Sequence, residues 1–287
     1  ISKNKIVLYN PKAVFFDMPL ALLSLASCFS KEKFEVVVID GRMVDNAHEK
    51  VLELIEGAIC FGVTVLTGNP IKDALDISKK VKQKSPTTTV VWGGWHTSLF
   101  PTQVLEEETS IDISVQGQGE ITFQEIIESI IQKTSLDHIK GITYRNERSG
   151  IVKNAPRPIT NLNDLPPIDY SYIDVEEYFA KKGQRQFDYI TSIGCFYRCT
   201  FCADPYVFGR KFSALNASNM LKTIELYYKK HNFTSINFQD ETFFTYKERV
   251  LELAKGLIDR NIKIRWAATM RADQGDRLTQ EEFDLLA

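Results

Sequence analysis

Five short runs rich in Val and Ile, "KIVLYN", "EVVVID", "AICFGVTV", "TTVVWGG" and "DISVQG", recur between Lys5 and about Gln132. Segments of helical character such as "PIKDALDISKKVKQKS" separate them. A run that is apolar at nearly every position suits a strand covered on both faces, and strands alternating with helices are joined by crossovers into a parallel sheet. The first half is therefore expected to be an α/β domain of the doubly wound, flavodoxin-like kind. Such sheets bind ligands in the loops beyond the carboxyl ends of their strands, where the topology reverses. Those loops read "NPKAVFFD", "DGRMVD", "TVLTGNP", "GGWHTS" and "GQGE".

"GITYRNERSGIVKNAPRP" follows, with an alternation around "NERSG" that predicts a hairpin. Pro156, Pro158, Pro166 and Pro167 then break any helix or central strand. After them the alternation resumes, with "FDYITSIG", "FTSINFQD" and "IKIRWAAT" as strands and "NASNMLKTIELYYKKH" and "YKERVLELAKGLIDR" as helices. The division predicted is a first domain over 1–135, a hairpin and proline-rich linker over 136–184, and a second domain over 185–287. Three βα units cannot close a barrel, and the chain starts with Ile and ends inside the helical "LTQEEFDLLA". It is expected to be a truncated piece of a longer polypeptide, with ~100 residues after Ala287 completing a barrel, or else to have another element cover the sheet edge.

With 35 basic and 37 acidic residues, the 287-residue chain has no electrostatic footprint for nucleic acid, and none is expected as a partner. Its longest apolar stretches, such as "PLALLSLASCF", fall short of the ~20 residues of a bilayer span. No signal peptide is evident, and a cytoplasmic location with no membrane span is expected. The five cysteines, an odd number, suit a reduced compartment with metal or redox chemistry better than a disulfide framework.

Cys195, Cys199 and Cys202 fall within eight positions of "SIGCFYRCTFCADP", directly after a predicted strand. Thiolates are soft ligands for iron and zinc, and an iron–sulfur cubane uses one thiolate per iron, so three would leave one iron open. A closed zinc site needs a fourth ligand, for which Asp204 and His231 are the candidates. Cys199 and Cys202 also read as a redox CxxC pair, although that leaves Cys195 unexplained.

The spacing CxxxCxxC, with Phe201 just before the last cysteine, resembles the cluster loop of the radical S-adenosylmethionine enzymes. The resemblance implies a partial (β/α) barrel, a [4Fe–4S] cluster on Cys195, Cys199 and Cys202, and S-adenosylmethionine chelated to the open iron and cleaved to a 5′-deoxyadenosyl radical. Phe201 is implied to lie beside that cosubstrate. "INFQDETFF" resembles the family's acidic strand-end motif, which makes Gln239, Asp240 and Glu241 candidate contacts for S-adenosylmethionine. In "WAATMRAD", Arg271 resembles the arginine that steadies the cosubstrate carboxylate.

"FGVTVLTGNP", "VVWGGWHTSLFP" and "VQGQGEITF" resemble the cobalamin-binding domains that precede a radical S-adenosylmethionine domain. The cobalamin candidates implied are Thr64, Val65, Leu66, Thr67, Gly93, Gly94, His96, Gly117, Gln118, Gly119 and Glu120. Cobalamin mutases carry a DxHxxG stretch whose histidine binds cobalt, and none occurs here. His48 in "DNAHEK" has the wrong spacing and is expected on a helix surface, and Val65 or Leu66 is expected beneath the cobalt. A nicotinamide site is disfavoured, because "GQGEIT" lacks the last glycine and sets Glu120 where pyrophosphate would approach. The second cluster of the tRNA methylthiotransferases would need three more cysteines in this half, which has only Cys28 and Cys60, both read as core.

The function implied is that of a cobalamin-dependent radical enzyme, foremost a methyltransferase acting on an unactivated carbon or phosphorus centre. An oxidative cyclase or rearrangement enzyme of the same group is the alternative, and a non-catalytic cobalamin-binding module with a structural metal is a third reading. A small-molecule substrate and an electron donor are the expected partners, and no side chain is singled out as catalytic. Replacing any one of Cys195, Cys199 or Cys202 with Ala should remove most of the iron measured after anaerobic reconstitution, whereas replacing Cys28 or Cys60 should not.

Overall fold

The computed structural model describes residues 3–146, 148 and 150–287, which form two compact units. One comprises Ile1–Ile159 with Ile168–Ile173, the other Thr160–Pro167 with Asp174–Ala287. The proline-rich stretch is thus shared between them, and the helix Val175–Lys182 belongs to the second.

The first unit is built on seven strands, β1 (Asn4–Asn10), β2 (Phe34–Asp40), β3 (Ala58–Thr64), β4 (Thr89–Gly93), β5 (Ile113–Val115), β6 (Ile142–Arg145) and β7 (Ile151–Lys153). Their order is β2-β1-β3-β4-β5-β6-β7. The first five pair in parallel in the flavodoxin-like order, and β5–β6 and β6–β7 are antiparallel. The hairpin expected in the linker is therefore an edge of this sheet. The reason lies in its own side chains, since Ile142 and Tyr144 are buried against Ile113 and Val115. Glu147 and Ser149 of the predicted "NERSG" tip lie outside the described residues.

Strand alternation sends neighbouring residues to opposite faces. Val7, Tyr9, Phe61, Val63 and Trp92 pack with the helices Ala47–Leu54 and Pro70–Lys84. Ile6, Leu8, Cys60 and Val91 pack with Leu20–Ser27 and Glu120–Gln132. Both sets are apolar because both faces are covered, and each fully buried Val or Leu contributes roughly 1.5–3 kcal/mol. The expected core positions behave accordingly for Cys60, which is fully buried, while Cys28 caps its helix half-exposed. His48 is not a plain surface residue, since its Nε2 lies 2.8 Å from Asp73 Oδ1 and Tyr9 donates to Asp73 Oδ2 at 2.7 Å.

In the second unit a parallel sheet of order β12-β11-β8 joins β8 (Gln186–Tyr189), β11 (Ser235–Phe238) and β12 (Arg265–Ala267). The helices Ala217–His231 and Lys247–Asp259 are the crossovers. This is an open βα arrangement, consistent with part of a barrel. "FDYITSIG" does not form one strand. After β8 the chain leaves the sheet, and β9 (Ser192–Gly194) pairs antiparallel with β10 (Phe212–Ala214).

One turn in the first unit tests how tightly the strand ends are packed. Gly94 has φ +97°, and a Cβ there would lie 2.9 Å from Val65 O and 3.0 Å from Val65 N. Gly57 also has positive φ (+76°) but open space around it. Gly94→Ala should lower the unfolding free energy by roughly 1–3 kcal/mol more than Gly57→Ala, read as a lower urea midpoint at unchanged m-value.

Candidate functional site

At the carboxyl end of the first unit's sheet, three loops are tied to one another by short polar contacts. Val65 N donates to Gly93 O at 2.8 Å and His96 N to Val65 O at 3.0 Å, which binds the end of β3 to that of β4. Ser98 Oγ donates to Gly94 O at 2.7 Å and accepts from Gly117 N at 3.0 Å, which brings in the loop after β5. Thr67 Oγ1 lies 3.3 Å from His96 Nδ1, and burial holds the His96 imidazole below its ordinary value, towards the neutral form. Thr64, Gly93, Gly94, His96, Gly117, Gln118, Gly119 and Glu120 are half-buried along this edge, and Thr67 is exposed. Glu120 Oε1 accepts from Ser24 Oγ at 2.6 Å, so part of that carboxylate braces two helices. Val65 turns fully into the core, whereas Leu66 is 53% exposed, so of the pair only Leu66 offers a side chain to a ligand. Arg42, which sequence reasoning missed, pairs with Asp40 and donates to the carbonyls of Phe15 and Asp17. It thereby pins the loop that exposes Val14 and Phe15.

In the second unit the three cysteines occupy the loop after β9, all half-buried and none in a disulfide. Gly194 ends the strand with φ +76°, and a Cβ there would lie 2.2 Å from Lys211 O, so only glycine lets β9 and the next segment approach so closely before Cys195. Phe196 packs on Phe212 with centroids 5.5 Å apart, and Cys202 N donates to Cys199 O at 3.1 Å. The Arg271 guanidinium lies 3.6 Å from the Tyr197 ring centroid and donates to Cys199 Sγ at 3.3 Å. Arg271 Nε also donates to Asp273 at 2.9 Å. Phe201 is 92% exposed.

The acidic strand-end triplet divides by role. Gln239 continues the ladder through its amide, which donates to Tyr189 O at 2.8 Å. Asp240 is buried, and its oxygens accept from Thr191 and Ser192. Glu241 Oε2 is buried with no hydrogen-bond partner among the described residues, and both oxygens of Asp204 share that condition. Burial pushes the Glu241 carboxyl up to about 8, helped by the nearby Asp204 and Asp240 charges, and burial alone pushes Asp204 up to about 6. Burial also raises the Cys195 thiol, against the lowering effect of a hydrogen bond from the Tyr197 backbone.

Among the described residues no three His, Cys, Asp or Glu side chains converge tightly enough to hold a single metal ion. His231, a candidate fourth zinc ligand, is engaged elsewhere, with Nδ1 3.3 Å from Glu176 Oε1. The donor chemistry fits an iron–sulfur cluster better than a closed zinc site: three unbridged thiols on one loop, a guanidinium already bonded to one sulfur, and buried acceptors without donors beside them.

Comparison with known proteins bears on both units. Residues 11–127 match the B12 binding domain family. An uncharacterised methyltransferase of Pyrococcus horikoshii is 28% identical over 259 residues, 89% of this chain and 55% of that protein. The anaerobic magnesium-protoporphyrin IX monomethyl ester cyclase of Synechocystis is 23% identical, over 89% of this chain and 51% of its own length. The solved structure of the radical S-adenosylmethionine methyltransferase TsrM from Kitasatospora setae superposes with a TM-score of 0.83 at 22% identity, over 99% of this chain and 57% of that one. The chain is similar to radical S-adenosylmethionine enzymes that carry a cobalamin-binding domain, and it shares their fold. The chain spans about half the length of these two relatives.

The side chains of the second unit that sequence reasoning missed are Thr191, Ser192, Arg249 and Tyr197, while Asp204 was expected only as a zinc ligand. Arg249 left a signal. In "RVLELAKGL" it stands four residues before Leu253 and eight before Leu257, on the apolar stripe of an amphipathic helix, where a charge needs a buried partner.

The Glu241 carboxyl supplies a pH test. Its folded value of about 8 exceeds the ordinary 4.5, so the folded chain holds that proton more tightly than the unfolded one, and stability falls as pH rises between those values. Glu241→Gln should remove this slope. Urea unfolding of the metal-free chain should show the variant more stable than the parent by roughly 1–3 kcal/mol above the window, with the difference closing below it.

Proposed function

We propose that the chain forms the cofactor-binding part of a cobalamin-dependent radical S-adenosylmethionine methyltransferase acting on a carbon or phosphorus centre of a small-molecule substrate. The observation that carries this reading is the three-cysteine loop of the second unit, with Arg271 bonded to one sulfur and the buried Glu241 close to Asp204, two residues after Cys202, in a chain whose residues 11–127 match the B12 binding domain family. Cys195, Cys199 and Cys202 would hold the [4Fe–4S] cluster. When bound, the cluster supplies the electron that cleaves S-adenosylmethionine, and cobalamin supplies a methyl carrier.

The chain's own residues do the rest by holding and orienting. Glu241, neutral below about pH 8 when nothing lies beside it, would ionise to accept the cosubstrate ammonium, and that charge-assisted contact offsets its burial. Arg271 stacks on Tyr197 and keeps a fork of donors at the cluster loop, in reach of the sulfur and of an approaching carboxylate. Gln239 and the exposed Phe201 complete the candidate cosubstrate contacts.

In the first unit, Thr64, Thr67, His96 and the backbone at Gly93, Gly94, Gly117 and Gly119 would line the cobalamin face, flanked by Gln118 and Glu120. Leu66 is the side chain proposed beneath the cobalt, so nitrogen from histidine is not expected there.

An electron donor is the remaining partner, and nucleic acid is not, given the balanced charge. Among the described residues no helix is long and apolar enough to cross a membrane. The cysteine usage, suited to a reduced compartment, is what supports a cytoplasmic location. Similarity to the ester cyclase makes oxidative cyclisation the second reading. Anaerobic reconstitution with iron, sulfide and hydroxocobalamin should give about four irons per chain and a bound cobalamin spectrum after desalting. Cobalamin that washes off, or iron that never binds, would refute the assignment.

A further inference from the structure

Thr191, the last residue of the gap between β8 and β9, and Ser192, the first residue of β9, are wholly buried. A continuing parallel ladder would give the Thr191 amide a backbone carbonyl. Instead it donates to Asp240 Oδ1 at 2.8 Å, while the Thr191 hydroxyl donates to Oδ2 at 2.7 Å and the Ser192 hydroxyl to the same oxygen. Arg249 closes the other side. Its Nη2 lies 3.5 Å from Asp240 Oδ2 and donates to Phe243 O at 2.8 Å. Its Nη1 donates to Thr191 O and to Thr191 Oγ1, both at 3.1 Å. Leu215 N adds a second donor to Thr191 O at 2.8 Å, from the residue just past β10. One residue of backbone is therefore gripped at its N–H by a carboxylate and at its C=O by a guanidinium, and these two charges pair with each other.

The grip sits four positions before Cys195. It stops β8 at Tyr189, turns the chain out to pair with β10, and so fixes where the cysteine loop begins. We infer that Asp240 and Arg249 are positioning residues for the cluster loop, and that Asp240 does not contact the cosubstrate. This rests on the reading that Cys195, Cys199 and Cys202 hold the cluster. Asp240 is 2% exposed and its charge is already matched by Arg249, with both oxygens hydrogen-bonded, whereas a buried oxygen of its neighbour Glu241 has no partner among the described residues. A ligand loop is only as well placed as the backbone that launches it, because thiols from a wandering loop must be ordered at the moment of binding.

The experiment uses the full chain and three variants: Asp240→Asn, Arg249→Lys, and the double exchange Asp240→Leu with Arg249→Met. The double exchange replaces both buried charges with apolar groups, which often keeps a fold intact while removing the bonds to Thr191. In the metal-free chain, amide exchange over 190–199 should be about tenfold faster in each folded variant, with the sheets β2-β1-β3 and β12-β11 unchanged. After reconstitution the same variants should lose most of their iron, whereas their circular dichroism stays native. Slow exchange and full iron in the double variant would overturn the inference. So would an Asp240→Asn chain that keeps both but no longer binds S-adenosylmethionine, since that marks a direct contact. Should the parent chain itself take up no iron, the cluster reading fails, and the exchange measurement alone then decides for or against the grip.

Discussion

A carboxylate with almost no access to water is tolerated only when its charge is matched and its lone pairs are filled. Asp240 meets both conditions through Arg249, Thr191 and Ser192, and much of the second unit is arranged around that requirement. Taking away one member of such a pair strands the other, at a cost of about 3–5 kcal/mol. The pairing also reaches across the unit's elements. It links the end of β11, the crossover helix Lys247–Asp259 and the break between β8 and β9, three places far apart in sequence. The cysteine loop inherits its starting point from that junction, and Gly194 then provides the close approach to Lys211 that no side chain would permit.

The first unit obeys the same logic with different residues. Its strand-end loops carry few ladder bonds, so side chains and stray backbone groups must hold them. Arg42 and Asp40 hold the loop after β1, Ser98 bridges those after β4 and β5, and the Val65 backbone joins β3 to β4. Below them, the two apolar faces of the sheet give a rigid base, and Trp92 donates to Ser78 Oγ at 2.9 Å so that even its one polar atom is satisfied. A rigid sheet with loops pinned from beneath is what a bulky, flat ligand needs, because the surface must be in place before the ligand arrives.

The sheet of the first unit was legible because every strand runs apolar at successive positions, a pattern that only double coverage explains. The cysteine loop was legible because three thiols at that spacing have few other uses. The hairpin's place was harder to see, since Ile142 and Tyr144 read equally well as a free hairpin and as an edge of the larger sheet. The break inside "FDYITSIG" was invisible to pattern, for its cause is a side chain 49 residues away. The triplet at 239–241 shows the same limit. Three polar residues in a row look alike in sequence, yet one serves a ladder, one is walled in, and one is left with a buried, unbonded oxygen. Arg249 alone among the missed residues declared itself, as a charge on an apolar stripe.

The most direct measurement is electron paramagnetic resonance of the reconstituted, reduced chain without cobalamin, before and after adding S-adenosylmethionine. A cluster held by Cys195, Cys199 and Cys202 with one open iron predicts a [4Fe–4S]⁺ signal whose g-values shift when the cosubstrate binds, and that shift should be lost in Glu241→Gln while the signal persists. A chain that binds zinc in place of iron, or a cluster signal indifferent to S-adenosylmethionine, would contradict it.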